Sequence, residues 1–462
     1  MKFIHTADIH LDSPLVGLAA YQNAPVAALR TATRDAFCKL VDAAIDEAVD
    51  FMVIAGDLYD GSWKDFNTGH FFVRQMGRLQ QAGIPVYLLY GNHDADSEMT
   101  RRLQLPANVF VFDSRAPSTH HIQHLRVALH GRSFKDAATL DNLAASYPAP
   151  VPGWLNIGVL HTALEGDAAH ARYAPCSLAE LNSKGYAYWA LGHVHAHAVL
   201  QQSPAWVVFP GNLQGRHSRE TGPRGAVLVT ADETGIRSVD RLIVDVLRWH
   251  RLQVDVSSAA GLPAVLRLCS QALQSLLDTQ PDSKPLALRV ALIGRTAAHG
   301  DLFGLAAQLR EEILALASAL GGDRLWIEKV RVHTSPLQDA PQLLARGDAL
   351  ADLQALLAQA ATDDDFLRSL ADDLQALSAK APLELTDAVP ALKAVRAGAV
   401  AALVQQVTPG LLAQLAQATS AGVADRAGDR VADRAADRAA DRVADRVTEP
   451  ATPPAPATGA AR

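Results

Sequence analysis

Phe51-Met52-Val53-Ile54-Ala55-Gly56-Asp57-Leu58-Tyr59-Asp60 is the stretch that decides the fold. Its first five residues form a continuous apolar run, which suits a strand buried on both faces. A glycine and two carboxylates stand at the end of that run. The arrangement recurs outward from it. Lys2–Thr6 is predicted as a short strand, and Asp8-Ile9-His10 follows it. A spacing of two places Asp8 and His10 on one side of an extended backbone. Pro85–Tyr90 is a second buried strand, ending in Tyr90-Gly91-Asn92-His93-Asp94. Leu155–Leu160 leads into Leu160-His161-Thr162, and Tyr186–Leu191 into Leu191-Gly192-His193-Val194-His195.

Helical spacing fills the intervals. Ala27 to Ala48 carries Leu29, Phe37, Leu40, Val41, Ala44 and Ile45 on one face, and Phe66 to Ala82 is helical again. Further strands are predicted at Asn108–Phe112, Leu125–Gly131, Ala205–Phe209 and Ala226–Thr230. The βαβ pattern becomes strand-rich after about residue 105, which predicts an α/β fold of two packed sheets flanked by helices.

Strand ends on one edge of an α/β sheet converge on a crevice where ligands bind. Five segments at such ends offer carboxylates, imidazoles and one amide oxygen, with no thiolate. That mixture suits Mn²⁺, Fe²⁺ or a Zn/Fe pair, and the oxygen content favours manganese. Two ions about 3.5–4 Å apart need a bridging carboxylate, for which Asp57 is the natural candidate. The glycines before Asp57, Asn92 and His193 allow sharp turns without side-chain clash. Each motif alone is weak; a lone His is more often structural. Their order and common placement make the set specific.

Composition sets limits. The chain of 462 residues predicts two or three domains. No run approaches the roughly 20 apolar residues that span a bilayer. The opening MKFIHTADIHLDS lacks a basic n-region and an apolar h-region, so a cytoplasmic protein is expected. Cys38, Cys176 and Cys269 are widely spaced, which argues against disulfides and zinc–thiolate sites. The net charge is −7 with a pI near 6.2, without the global basic signature of many nucleic-acid binders. Any polyanion would then meet bound cations and a local basic patch. Of 17 histidines, 14 lie at or before His217, which places imidazole chemistry in the N-terminal half.

Past the last motif, Pro210-Gly211-Asn212-Leu213-Gln214-Gly215-Arg216-His217-Ser218-Arg219 follows a strand. Asn212, Arg216 and Arg219 are DNA-contact candidates from this loop, and Arg101 and Arg102 are weaker ones. Trp63 is a candidate for stacking on a base. His5 is read as a sheet residue and His197 as packing in the strand after the last motif. His120, His121 and His124 are read as a solvent-facing cluster between strands. A small α/β domain is expected over 246–338, with strands at Leu252–Val256, Leu286–Leu292 and Leu325–Val332 and helices at Leu262–Leu277 and Asp301–Leu320. Residues 339–420 read as helices broken at Pro382, Pro390 and Pro409. Residues 421–462 hold a four-residue Ala/Asp/Arg repeat and a Pro/Ala tail, expected to be disordered.

Together, D-x-H, G-D-x-x-D, G-N-H-D, a lone His after a strand and G-H-x-H resemble the signature of calcineurin-like metallophosphoesterases. The opening HTADIHLDSPL, with GDLYD and GNHD, resembles the SbcD-type and YhaO-like DNA repair exonucleases. The resemblance is strong over residues 1–245, weaker over the small domain, which is similar to that family's capping domain, and absent from the tail. It implies a calcineurin-like four-layer sandwich with two divalent metal ions. One ion would be held by Asp8, His10, Asp57 and His195, the other by Asp57, Asn92, His161 and His193. His93 would be the general acid facing the scissile phosphate, oriented by Asp60. Nucleases of the archaeal and eukaryotic branch often carry His where this chain has Asp60, as phosphatases do. Metal-bridged hydroxide would attack phosphorus in line, and His93 would protonate the 3′ oxygen. The resemblance further implies DNA ends or single strands as substrate, an SbcC-like coiled-coil ATPase docked on the C-terminal helices, and a homodimer. The runner-up is a phosphatase or phosphodiesterase for small molecules or phosphoproteins. A non-catalytic scaffold is the third reading; the complete set of eight metal and acid residues argues against it.

Overall fold

The computed structural model describes residues 1–13, 26–60, 66–95, 103–164, 173–280, 284–302, 305–337, 349–379, 390–405, 407–408 and 411. Trp63, Arg101, Arg102 and the 421–462 tail lie outside them. The first large sheet contains β1 (Lys2–Thr6), β2 (Phe51–Ala55), β3 (Val86–Leu89), β4 (Val109–Val111), β11 (Gly225–Asp232) and β12 (Gly235–Ile243). Their order is β12-β11-β1-β2-β3-β4, parallel from β1 to β4 and antiparallel at β11 and β12. The second contains β5 (Ser118–Ile122), β6 (Val127–Gly131), β7 (Leu155–His161), β8 (Tyr188–Gly192), β9 (Ala198–Gln201) and β10 (Trp206–Phe209), in the order β5-β6-β7-β8-β10-β9.

Side-chain alternation builds the layers. Phe3, Phe51, Val53 and Tyr87 point inward and meet Ile157, Val159, Tyr188 and Ala190 from the second sheet. The opposite faces of the same strands, Ile4, Met52, Ile54, Val86 and Leu88, pack on α1 (Val26–Asp46) and α2 (Phe66–Gln81) through Phe37, Leu40, Val41 and Phe72. Trp189 and Leu191 face outward to Leu143, Tyr147 and Leu181. The order is helix, sheet, sheet and covering segments, as the sequence predicts.

β9 is the strand expected after the last motif, and it starts one residue past His197. Two strands were not predicted, β5 and β12, and both are edge strands. Edges carry polar residues that blunt further pairing, so no apolar run marks these two. His120 and His121 therefore sit within β5. His120 is half-buried against Tyr87, Phe110 and Phe112 rather than solvent-facing.

Packing divides the chain into two units. The first holds Met1–Val254, Cys269–Ala291 and Leu309–Arg331; the second holds Asp255–Leu268, Leu292–Gln308 and the chain from Val332 onward. Parts of the expected capping segment thus contribute to both. Within the first unit Trp249 packs on Trp326 and Ala287, and its indole N–H donates to Gly215 O at 2.9 Å. A third sheet has the order β13 (Arg248–Asp255), β14 (Leu286–Arg295), β15 (Leu325–Ser335). In the second unit, helices span Ala349–Ala360, Asp364–Ala379 and Pro390–Arg396. Among the described residues no helix is long and apolar enough to cross a membrane.

Candidate metal centre

The chain beyond β1 and the chain beyond β2 stay zipped together. Asp8 N donates to Gly56 O, His10 N to Asp57 O and Leu11 N to Leu58 O, all at about 3 Å. This pairing brings Asp8, His10 and Asp57 to one point. All three are buried and all three have left-handed backbone, at φ 50°, 45° and 54°; His193 is at 96°. Such conformations are uncommon for residues other than glycine and cluster at functional sites.

The motif glycines do more than turn. Only Gly56 of the three has positive φ, at 98°. A Cβ on Gly192 would lie 1.9 Å from Ala55 O, and one on Gly91 would lie 2.3 Å from Asp57 Oδ1. Absent side chains let the two sheet ends and the loop after β3 close on Asp57. That loop is tied down by buried Asp94, whose carboxylate accepts from Leu58 N, Tyr59 N and Gly91 N at 2.9–3.1 Å. Burial, with the nearby Asp57 charge, pushes Asp94 up to about 7.

His161 arrives from the end of β7. Its Nδ1 lies 2.9 Å from Ala55 O, a group that only accepts, so Nδ1 carries the proton. Its Nε2 faces two more acceptors, Asn92 Oδ1 at 3.0 Å and Asp57 Oδ2 at 3.4 Å. Either a proton or a cation must occupy that point. Burial alone would lower His161, but the Asp57 carboxylate outweighs it and raises the ring to about 9. Burial likewise opposes ionisation of Asp57, yet His161 beside it holds the carboxyl below its usual range. His193 closes this corner, and Asp57, His161 and His193 present ligand atoms within 4.8 Å of one another.

A second corner lies beside it. His10 Nε2 is 3.2 Å from His195 Nε2, 3.8 Å from Asp57 Oδ2, and Asp8 Oδ1 is 3.9 Å from His195 Nε2. Burial holds His10 well below the ordinary imidazole range, with the Arg216 charge adding to it. His195 Nδ1 lies 2.7 Å from Glu220 Oε1, which turns Nε2 toward the corner. Two imidazoles meeting nitrogen to nitrogen next to two carboxylates are the donor set of a divalent cation. Asp8, His10 and His195 again fall within 4.8 Å. The residues present therefore fit a pair of ions sharing Asp57.

His93 stands at the rim, with 39% of its side chain exposed. Its Nδ1 is 3.1 Å from Asp60 Oδ1, and its backbone N donates to Asp57 Oδ1 at 3.0 Å. The Asp60 contact raises the His93 pKa against the opposing effect of burial. Ser13 Oγ donates to Asp60 Oδ2 at 2.5 Å, and Arg216 Nη1 lies 3.1 Å from Ser13 Oγ and 3.6 Å from Asp60 Oδ2. Arg216 thus enters the site edge. Arg219 is exposed. Asn212, expected among the DNA contacts, is fully buried. Its amide nitrogen donates to Gln214 O and Glu220 Oε2, and its oxygen accepts from Arg224, so it shapes the loop and cannot meet a polyanion. His5 is buried between Tyr188 Oη and Leu191 O, as a sheet residue should be. Sequence reasoning missed Glu220 and Ser13, since neither belongs to a quoted motif role.

A family model for calcineurin-like phosphoesterase matches residues 1–197, and one for the middle domain of metallophosphoesterase YhaO matches 249–335. A Bacillus subtilis protein, described as an uncharacterized metallophosphoesterase YhaO, is 34% identical over 297 residues, 64% of this chain and 72% of its own. The chain belongs to the calcineurin-like metallophosphoesterases, with YhaO-like relatives. More distantly, it is similar to the DNA double-strand break repair proteins Mre11 of Methanopyrus kandleri, at 25% identity over 56% of this chain and 60% of that one, and of Sulfurisphaera tokodaii, at 24% over 54% and 65%.

Proposed function

We propose that the chain is a two-metal phosphodiesterase that cleaves DNA, with Mn²⁺ as its working metal. The observation that carries this reading is the ring of acceptors around His161 Nε2 and the facing nitrogens of His10 and His195, two cation-shaped corners joined by Asp57. Asp8, His10, Asp57 and His195 would hold one ion, and Asp57, Asn92, His161 and His193 the other. When bound, such a pair supplies Lewis-acid polarisation of the phosphoryl group and a lowered pKa for water.

The chain's own groups do the rest. His93, whose pKa the Asp60 contact raises, donates its proton to the departing oxygen. Arg216 stands beside that pair and offers a guanidinium to a phosphate oxygen. Exposed Arg219 extends the contact along a polyanion. Support for DNA comes from the opening HTADIHLDSPL and from relatives named for double-strand break repair. On this reading residues 246–338 cap the site, residues 339–420 dock a coiled-coil ATPase, and the chain pairs with a second copy. Asp60, the residue type found in phosphatases, favours a second reading: hydrolysis of small phosphoesters or phosphoproteins.

The deciding experiment is Mn²⁺-dependent degradation of end-labelled duplex and single-stranded DNA beside bis-p-nitrophenyl phosphate. DNA degradation that vanishes in His93→Ala supports the nuclease. Hydrolysis of the small ester alone, with the ATPase partner present, overturns it in favour of the second reading.

A further inference from the structure

Glu220 is 5% exposed and holds more partners than any simple loop residue needs. Its Oε1 lies 2.7 Å from His195 Nδ1. Its Oε2 accepts from Asn212 Nδ2 at 3.0 Å and from the backbone N of Arg216 at 2.7 Å. Arg216 Nη2 and His217 Nε2 lie 3.9 and 3.5 Å from Oε1. A Cβ on Gly215 would stand 2.7 Å from Glu220 O, so the loop is folded tightly back on this residue. Arg224, bonded to both Asn212 Oδ1 and His195 O, braces the far side.

Two consequences follow from one carboxylate. An ionised carboxylate only accepts, so His195 carries a proton on Nδ1, and Nε2 is the nitrogen left to face Asp8 and His10. The other oxygen fixes the backbone of Arg216, from which the guanidinium reaches Ser13 and Asp60 beside His93. We propose that Glu220 is the positioning residue of this site: it sets the His195 tautomer that takes a cation and anchors Arg216 at the phosphate-facing edge. The inference rests on the two-metal reading above. Carboxylates behind ligand histidines tune metal affinity by about 10–100-fold in other sites.

The test is Mn²⁺ titration of the full chain, read by the free-ion electron paramagnetic resonance signal and by metal analysis. Glu220→Gln keeps the shape but breaks one link whichever way its amide turns. If its oxygen serves His195, its NH₂ faces the Arg216 and Asn212 donors; reversed, it faces the His195 N–H. The expected result is wild type taking two ions, and Glu220→Gln and Glu220→Ala binding one of them about 10–100-fold more weakly. His217→Ala, which removes an exposed neighbour of the same carboxylate, is expected to titrate like wild type. Melting of the metal-free variants shows whether the loop still folds, and Glu220→Asp, which keeps the charge with a shorter reach, should fall between wild type and Glu220→Gln. Fewer than two ions on wild type would sink the two-metal reading itself. Two ions on wild type with unchanged affinities in Glu220→Gln and Glu220→Ala would sink the role of Glu220 alone, as would an equal loss in His217→Ala.

Discussion

The candidate site has two halves that differ in their access to water. Asp8, His10, Asp57, Asn92 and His161 are buried to 8% exposure or less, and their polar atoms face one another. His93, Asp60 and Arg216 keep 39%, 19% and 16% of their side chains exposed. Buried carboxylates and imidazoles are costly unless matched, so the inner half is built to hold charge in place. The outer half reaches solvent and can exchange protons and meet a substrate. The difference separates holding from turnover.

Substitutions can break that separation. Asp57→Ala should have the largest effect: metal content falls from two ions to none, and hydrolysis becomes undetectable. Two retained ions in metal analysis would refute the shared corner. His93→Ala should keep both ions and lose turnover on the order of 10² to 10⁴-fold. Normal turnover would remove His93 from the chemistry. Asp60→Asn tests the rim more finely. Asp60 raises the His93 pKa, so the acid form survives to higher pH. Without that carboxylate the alkaline limb of the pH–rate profile should move to lower pH; an unmoved limb would show that Asp60 does not act through His93.

A fourth prediction concerns the sheet beneath the site. Burial holds His5 down at about 3, against 6.5 for an ordinary imidazole. The unfolded chain therefore binds a proton near pH 6.5 that the folded chain refuses. Stability is full above pH 6.5 and falls toward pH 3, by up to about 1.4 kcal/mol per pH unit from this group. In urea titrations across that window His5→Gln should show a shallower dependence; an identical slope would discount His5. The smallest effect is expected for truncation from Val423 onward, which should leave hydrolysis unchanged within assay error. A loss of activity would give the repeat a role.

Much of this was readable from the chain because the inner half hangs from apolar strands. Phe51–Ala55 and Leu155–His161 announce themselves, and the polar residues at their ends are conspicuous against them. β5 and β12 escape notice because Ser118-Thr119-His120-His121 and Ile236-Arg237-Ser238 read like loop. Glu220 escapes because its partner is 25 residues away and an acid in a polar loop has no periodic context. Asn212 reads as a DNA contact because a loop resemblance gives position but not burial; its neighbours Leu213 and Gln214 are buried with it. Spacing can predict which strand end a side chain leaves from, whereas tautomers and hydrogen-bond partners depend on what the fold brings opposite.

The two sheets do not contribute alike to the inner cluster. Asp8, His10, Asp57 and Asn92 leave strands of the first, while His161, His193 and His195 leave strands of the second. An ion held among them would thus rivet the sandwich. Bound only by the folded chain, it adds about 2.7 kcal/mol at a hundred times its dissociation constant. A chelator would then act on this protein as a mild denaturant, and amide exchange along the seam of Phe3, Phe51, Ile157 and Tyr188 would quicken as the ions leave.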